Sequence, residues 1–199
     1  MALKNFIKEN FVLVVGLTLP VLLIVLFFVA SVLPKSMAVP PQYEMLFTTT
    51  RYDYQNQPPY NVDFFVRDGI LKARVAKNKA QPGQTYNTKK LMAYDGKTQS
   101  VHEISYDTSK IGEVPDGSEI IFDEFKNLKM DSSNKAPDGY AFDNSGYGSG
   151  GMVTELFAGG YNRNSARVTK GAVSFKIPNS DNGNYYYYDV QFLGWVLQK

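Results

Sequence analysis

From Phe11 to Leu33 the chain reads FVLVVGLTLPVLLIVLFFVASVL, 23 residues without a charged side chain. A helix of that length reaches roughly 35 Å, enough to cross a hydrocarbon core of about 30 Å with some tilt. A helix in a soluble core is seldom apolar on every face. Lys4 and Lys8 form a basic start and Ser36-Met37-Ala38 has a small-x-small pattern, both features of a cleaved signal peptide. The apolar regions of such signals run only about 7 to 15 residues, however, so the length favours an uncleaved transmembrane helix over 11–33. Residues 1–10 are then a short cytoplasmic N-terminus, because Lys4 and Lys8 outweigh Lys35, the one close basic residue after the helix.

Pro20 lies mid-span and cannot donate the hydrogen bond that the carbonyl of Gly16 would accept, so a kink between Gly16 and Pro20 is expected. Gly16 and Thr18 keep that turn slender. Gly16, Thr18 and Pro20 are therefore the candidate surface for a partner membrane helix. The chain has no cysteine and no Asn-x-Ser/Thr sequon. Disulfide scaffolds, thiolate metal sites and cysteine nucleophiles are excluded, and the chain beyond the helix reads as the periplasmic part of a bacterial inner-membrane protein. With 21 basic and 19 acidic side chains and no dense basic stripe, nucleic acid is not an expected partner.

Residues 34–41 hold three prolines and read as a short, stiff, non-helical spacer. Residues 42–199 form the exported domain, where the pattern turns to period two in Tyr, Phe, Val, Ile and Thr. Tyr43, Met45 and Phe47 alternate with polar neighbours. Val62, Phe64 and Val66 lead through Asp68-Gly69 into Leu71, Ala73 and Val75, a strong hairpin signal. A second hairpin runs from Leu91–Tyr94 through Asp95-Gly96-Lys97-Thr98 to Val101–Tyr106. Glu119–Met130 fits a helix or a strand and is assigned to strand, Pro137-Asp138-Gly139 marks a turn, and MVTELFA at 152–158 is a candidate short helix. Val173, Phe175 and Ile177 form another strand.

The last run, YYYYDVQFLGWVL, is apolar on both faces, so its second face must be covered by another layer or by another protein. Tyr185, Tyr187 and Trp195 are accordingly candidate partner-binding residues. The fold class is mainly β, an antiparallel sandwich or open barrel behind one N-terminal transmembrane helix. The segments LMAYDGKTQSVHEIS and APDGYAF resemble β-propeller repeats, but no period recurs and a partial propeller is the lesser alternative.

No reactive constellation stands out. His102 is the single histidine, with Ser100 on its own strand face and Ser105 on the other, and it reads as an ordinary strand residue. Gly146–Gly151 matches G-x-G-x-x-G literally but lacks the βαβ unit that nucleotide binding needs. Asp131, Asp138, Asp143 and Asn144, like Asp181, Asn182 and Asn184, are oxygen donors without calcium-loop spacing, and turn chemistry explains them. The basic groups Arg163, Arg167 and Lys170, and Lys77, Lys79, Lys89 and Lys90, are too small for electrostatic membrane docking. Catalytic, cofactor and metal residues are therefore not assigned, and enzymatic activity would survive only as carboxylate chemistry through Asp123 or Glu124.

These features describe a single-pass membrane-anchored accessory or assembly subunit whose β domain binds a partner membrane-protein complex. The alternative is a membrane-tethered domain that binds carbohydrate or an envelope polymer, with tyrosine rings and short amides, from Tyr147, Tyr161 or the 185–188 run, meeting sugar faces and hydroxyls.

Overall fold

In a computed structural model, residues 6, 8–36, 38–53, 58–79, 86–109, 111–144, 165–171, 173–179 and 189–198 are described. The chain divides into two units, residues 1–39 and 40–199.

The first unit is the helix α1 (Phe11–Ser36). Its stretch Phe11–Val29 has a mean hydropathy of 3.1 and none of it is buried, so it is long and apolar enough to cross a membrane. The helix continues through Pro34, and the non-helical spacer expected from that residue begins only after Ser36. A proline has no N–H to donate to the carbonyl one turn back, so the helix continues past Pro34 at the loss of one hydrogen bond.

The second unit is mainly β, with three antiparallel sheets. Sheet one joins β1 (Met45–Asp53), β4 (Tyr86–Asp95), β5 (Ser100–Glu103), β7 (Lys129–Asp131) and β11 (Val190–Gln198) in the order β5-β4-β1-β11-β7. Sheet two is β2 (Tyr60–Arg67), β3 (Ile70–Lys77) and β6 (Glu119–Ile120), in that order. Sheet three is β8 (Ala141–Asp143), β9 (Arg167–Lys170) and β10 (Val173–Lys176), with β9 central. The hairpin of β2 and β3 closes at Asp68-Gly69 as its sequence requires, with φ of 56° and 73° at the two turn residues. Two successive positive φ values match the right-handed twist of the flanking strands. The second hairpin pairs Asp95 with Ser100, and its return strand ends at Glu103, short of the expected Tyr106.

Register explains the core. Tyr94, Met45 and Trp195 lie side by side on one face of sheet one, as do Met92, Phe47 and Phe192. Leu46, Leu91, Ala93 and Leu193 point the other way and join Phe64, Leu71, Ala73 and Val75 of sheet two in one buried cluster. The first face is covered in turn, since Phe192 stacks on Phe142 of β8 at 5.3 Å between ring centroids. The central strands β4, β1 and β11 are thus covered on both sides, which is why Met45–Thr49 and Leu91–Tyr94 are buried without interruption.

Several expectations change. The clean alternation expected around Tyr43, Met45 and Phe47 does not hold. Glu119–Met130 is not one strand but two short ones flanking a 3-10 turn at Asp123–Phe125. Arg167 and Lys170, read as part of a loose basic cluster, sit on β9. Trp195 is 0% exposed and its indole N–H donates to the Ser133 carbonyl at 3.1 Å. It is core rather than a partner-binding residue, because the domain's own chain covers the second face of β11. Tyr185 and Tyr187 lie outside the described residues, as do the 146–151 glycine motif and the 152–158 helix candidate. The turn at Pro137-Asp138-Gly139 is present, with Gly139 at φ +89° and its N–H donating to the Ala136 carbonyl at 2.8 Å.

Candidate functional site

Sheets one and two part beyond the shared core cluster, and a cleft of about 740 Å³ opens there. The margin of the core makes its floor, where Tyr60, Val62 and Tyr106 are half-buried against the cluster and Ile111 is buried within it. The inward alternation of β2 presents Tyr60 and Val62, the same period that drives Phe64 into the core. Tyr106 follows β5, and its ring is held edge-on to Phe64 at 5.1 Å and against Phe122 at 4.7 Å. Burial, with the charge of Glu103 adding to it, pushes the Tyr106 hydroxyl above its ordinary pKa, so this tyrosine is neutral at physiological pH.

The walls are polar. Thr50 of β1, Thr88 of β4 and Asn61 of β2 line the cleft, and Thr108 and Ser109, on the segment after β5, form a lip. That lip is fixed by short local bonds: the Ser109 amide donates to Asp107 Oδ1 and the Asp107 amide to Glu124 Oε1, each at 2.8 Å. Pro58 and Pro59 are pinned by Asn78, whose side chain and backbone N–H donate to their carbonyls at 3.1 and 3.0 Å. Across the opening, Lys89 of β4 meets Asp63 of β2 at 2.7 Å and also donates to Gln191 Oε1 at 3.1 Å.

A smaller hollow of about 280 Å³ gathers His102 and Ser105 with Glu44 and Glu124 over an apolar floor that includes Leu46, Phe125 and Val196. His102 Nε2 stands 3.7 Å from Glu44 Oε1, beyond hydrogen-bond distance, and the imidazole is 56% exposed. Glu44 had no motif to announce it; only the pairing of β1 with β4, and of β4 with β5, brings its carboxylate to His102.

The other sequence candidates are dispersed. Gly16 and Pro20 are one helical turn apart and share a face of α1, whereas Thr18 lies across the helix with its hydroxyl donating to the Val14 carbonyl at 2.8 Å. Asp131 accepts the backbone N–H of Ser133 at 2.8 Å and Asp138 that of Tyr140 at 3.3 Å, the turn chemistry expected of them, and Asp138 also accepts the N–H of Gln42, 96 residues away, at 2.8 Å. Among the described residues no group of three His, Asp or Glu side chains is placed to hold a metal ion. Lys79, Lys89 and Lys90 are drawn into separate ion pairs with Asp116, Asp63 and Glu103. Lys170 donates to the Asp138 carbonyl at 2.7 Å.

The chain is rich in aromatics, with 14 tyrosines and 13 phenylalanines, but its order alone does not single out those that line the cleft. Tyr60 extends the inward period of Val62 and Phe64 by one step beyond the strand start read from the sequence, and nothing in the sequence placed Tyr106 beside it, because their meeting depends on how two sheets pack. No family model matches the chain, and no curated protein or solved structure matches it either.

Proposed function

We propose that the protein is a membrane-tethered, non-catalytic binding protein whose β domain takes carbohydrate or another hydroxylated envelope polymer into the cleft between sheets one and two. The observation that carries this is the lining itself: tyrosine rings on the floor and threonine, serine and asparagine groups on the walls. Planar rings accept the apolar faces of sugars, and short hydroxyl and amide groups reach their hydroxyls without long flexible arms. In this reading α1 anchors the chain in a bacterial inner membrane, Lys4 and Lys8 keep the N-terminus cytoplasmic, and the domain is periplasmic. Full-length protein in mild detergent is expected to be retained on insoluble peptidoglycan or polysaccharide, and the double variant Asn61→Ala, Thr108→Val to be retained less. Equal passage of both proteins over every polysaccharide tested overturns the reading.

A second reading, an accessory subunit of a membrane-protein complex, is favoured by α1. Gly16 is open to close approach, with nothing within 4 Å of where a Cβ would lie, and Pro20 on the same face leaves its carbonyl without the helical donor. Recovery of the protein in a larger complex after mild extraction supports this; a lone monomer in every detergent and salt condition removes it.

A further inference from the structure

The cleft follows a strand edge, and this inference rests on the reading that the cleft holds a glycan. β2 is the terminal strand of sheet two, bonded to β3 on one side. Bonding alternates along an antiparallel ladder, so residues that do not bond the neighbouring strand point both N–H and C=O the other way. Val75, opposite Val62, donates its N–H to the Ser118 carbonyl at 3.0 Å and accepts from the Gly117 N–H at 2.8 Å, on the far side of β3. Lys77, opposite Tyr60, likewise donates its N–H to Asp116 Oδ1 at 2.7 Å. The Asn78 N–H donates to the Pro59 carbonyl at 3.0 Å, which fixes the same alternation. The N–H and C=O of Tyr60 and Val62 therefore face away from β3. Tyr60, Asn61, Val62 and Asp63 all line the cleft, and consecutive residues do so where a cavity runs along a strand's edge rather than over one face. Among the described residues none of these four backbone groups has a hydrogen-bond partner.

We infer that the polymer taken into the cleft is a glycan that carries short peptides, the composition of peptidoglycan, rather than a plain polysaccharide, and that its peptide pairs with the edge of β2. An edge residue presents its N–H and C=O side by side in one direction, and a partner with the same arrangement closes both bonds. An extended peptide residue has it, because its N–H and C=O belong to two successive amides. The acetamido group of a sugar does not, since the N–H and C=O of a single trans amide point in opposite directions. Sugar hydroxyls meet such groups one at a time. Tyr60 and Val62 repeat the same pair of groups about 6.8 Å apart, the two-residue step of an extended chain. The tyrosine rings of the floor remain for the sugar faces, so the two parts of one polymer use different groups of the same cleft.

The test measures binding of three soluble probes to full-length protein in mild detergent. They are a peptidoglycan tetrasaccharide bearing its peptides, the same tetrasaccharide with the peptides removed and the exposed carboxyls capped as amides, and the peptide alone. The wild type is expected to bind the peptide-bearing probe at least about tenfold tighter than either part, the effect of one or two added hydrogen bonds. Val62→Pro deletes an N–H that faces the cleft and spares the bonds to β3, which come from Asn61 and Asp63, so a terminal strand tolerates it. In this variant, with folding checked by thermal melts, the preference for the peptide-bearing probe over the stripped one should fall to within about threefold. A readout independent of the variant's fold comes from the ligand. A peptide-bearing probe with N-methylated peptide amides cannot donate to the Tyr60 and Val62 carbonyls, and wild type should bind it no tighter than the stripped probe. Equal binding of the peptide-bearing and stripped probes by the wild type overturns the inference while leaving glycan binding in place. Undiminished binding of the N-methylated probe, or an unchanged preference in folded Val62→Pro, overturns the pairing with β2. Binding of the peptide alone as tightly as the peptide-bearing probe overturns the glycan reading, as does failure to bind any probe, and the inference falls with it.

Discussion

Tyr94 and Trp195 flank Met45 in one buried row, and they carry opposite consequences. The Tyr94 hydroxyl is fully buried without a hydrogen-bond partner, and burial, helped by the charges of Asp95 and Tyr140, pushes its pKa to about 12 from an ordinary 10.0. A buried polar group left unpaired costs about 1–3 kcal/mol. Tyr94→Phe is therefore expected to raise the melting temperature, and a fall would show that the hydroxyl has a stabilising partner. Since the folded pKa lies above the unfolded one, stability is complete below pH 10 and declines as pH rises towards 12. Tyr94→Phe should flatten that alkaline decline, read by thermal melts across this range. Trp195→Ala instead removes a side chain that fills the core and satisfies Ser133. The expected loss is about 3–5 kcal/mol, enough to abolish the cooperative transition of a marginal domain, and an intact transition would return Trp195 to the surface.

Among the elements, the outer face of sheet two is tied by one carboxylate. Glu119 of β6 pairs with Arg67 of β2 at 2.6 Å and with Arg74 of β3 at 2.9 Å, and both guanidinium groups lie over the Phe65 ring. The hydrogen bond from Arg74, with the charges of Arg67 and Arg74, holds the Glu119 carboxyl below its ordinary value of 4.5. A depressed folded pKa stabilises above the unfolded value, and the contribution is lost as pH falls through the folded one. Acid melts of wild type and Glu119→Gln should draw together as pH falls below the ordinary 4.5, with the wild type the more stable at neutral pH; parallel curves would show that the bridge contributes nothing. Close backbone approach constrains other elements. A Cβ at Gly96 would collide with the Pro41 ring, so the end of the expected spacer packs onto the β4–β5 turn as part of the domain.

For the whole molecule, the division after Val39 defines the decisive truncation. Removing residues 1–39 should release the protein from the membrane fraction while retaining a single cooperative unfolding transition, because the sandwich core draws only on residues beyond that point. Persistence in the membrane fraction would mean that the β domain carries its own attachment. The three sheets place the cleft where two of them separate, so its lining is contributed by β1, β2, β4 and the segment after β5 rather than by any one motif.

The apolar helix, the mainly β class and the Asp68-Gly69 hairpin were legible in the amino-acid order alone, because each rests on local physics: an uncharged run longer than a bilayer, a period of two, and a turn that needs positive φ. The two-sided apolarity of β11 was legible in the same way. Whether another layer or another protein covered that strand was a question of packing, and Phe142 and the Ser133 carbonyl answered it for Phe192 and Trp195. The same holds for the cleft. Tyr60 and Tyr106 are 46 residues apart in the chain and Asp63 and Lys89 are 26 apart. Such pairs meet only once sheet two is laid across sheet one, since long-range register and sheet packing are set by the summed burial of many side chains and leave no local signature at the residues they bring together.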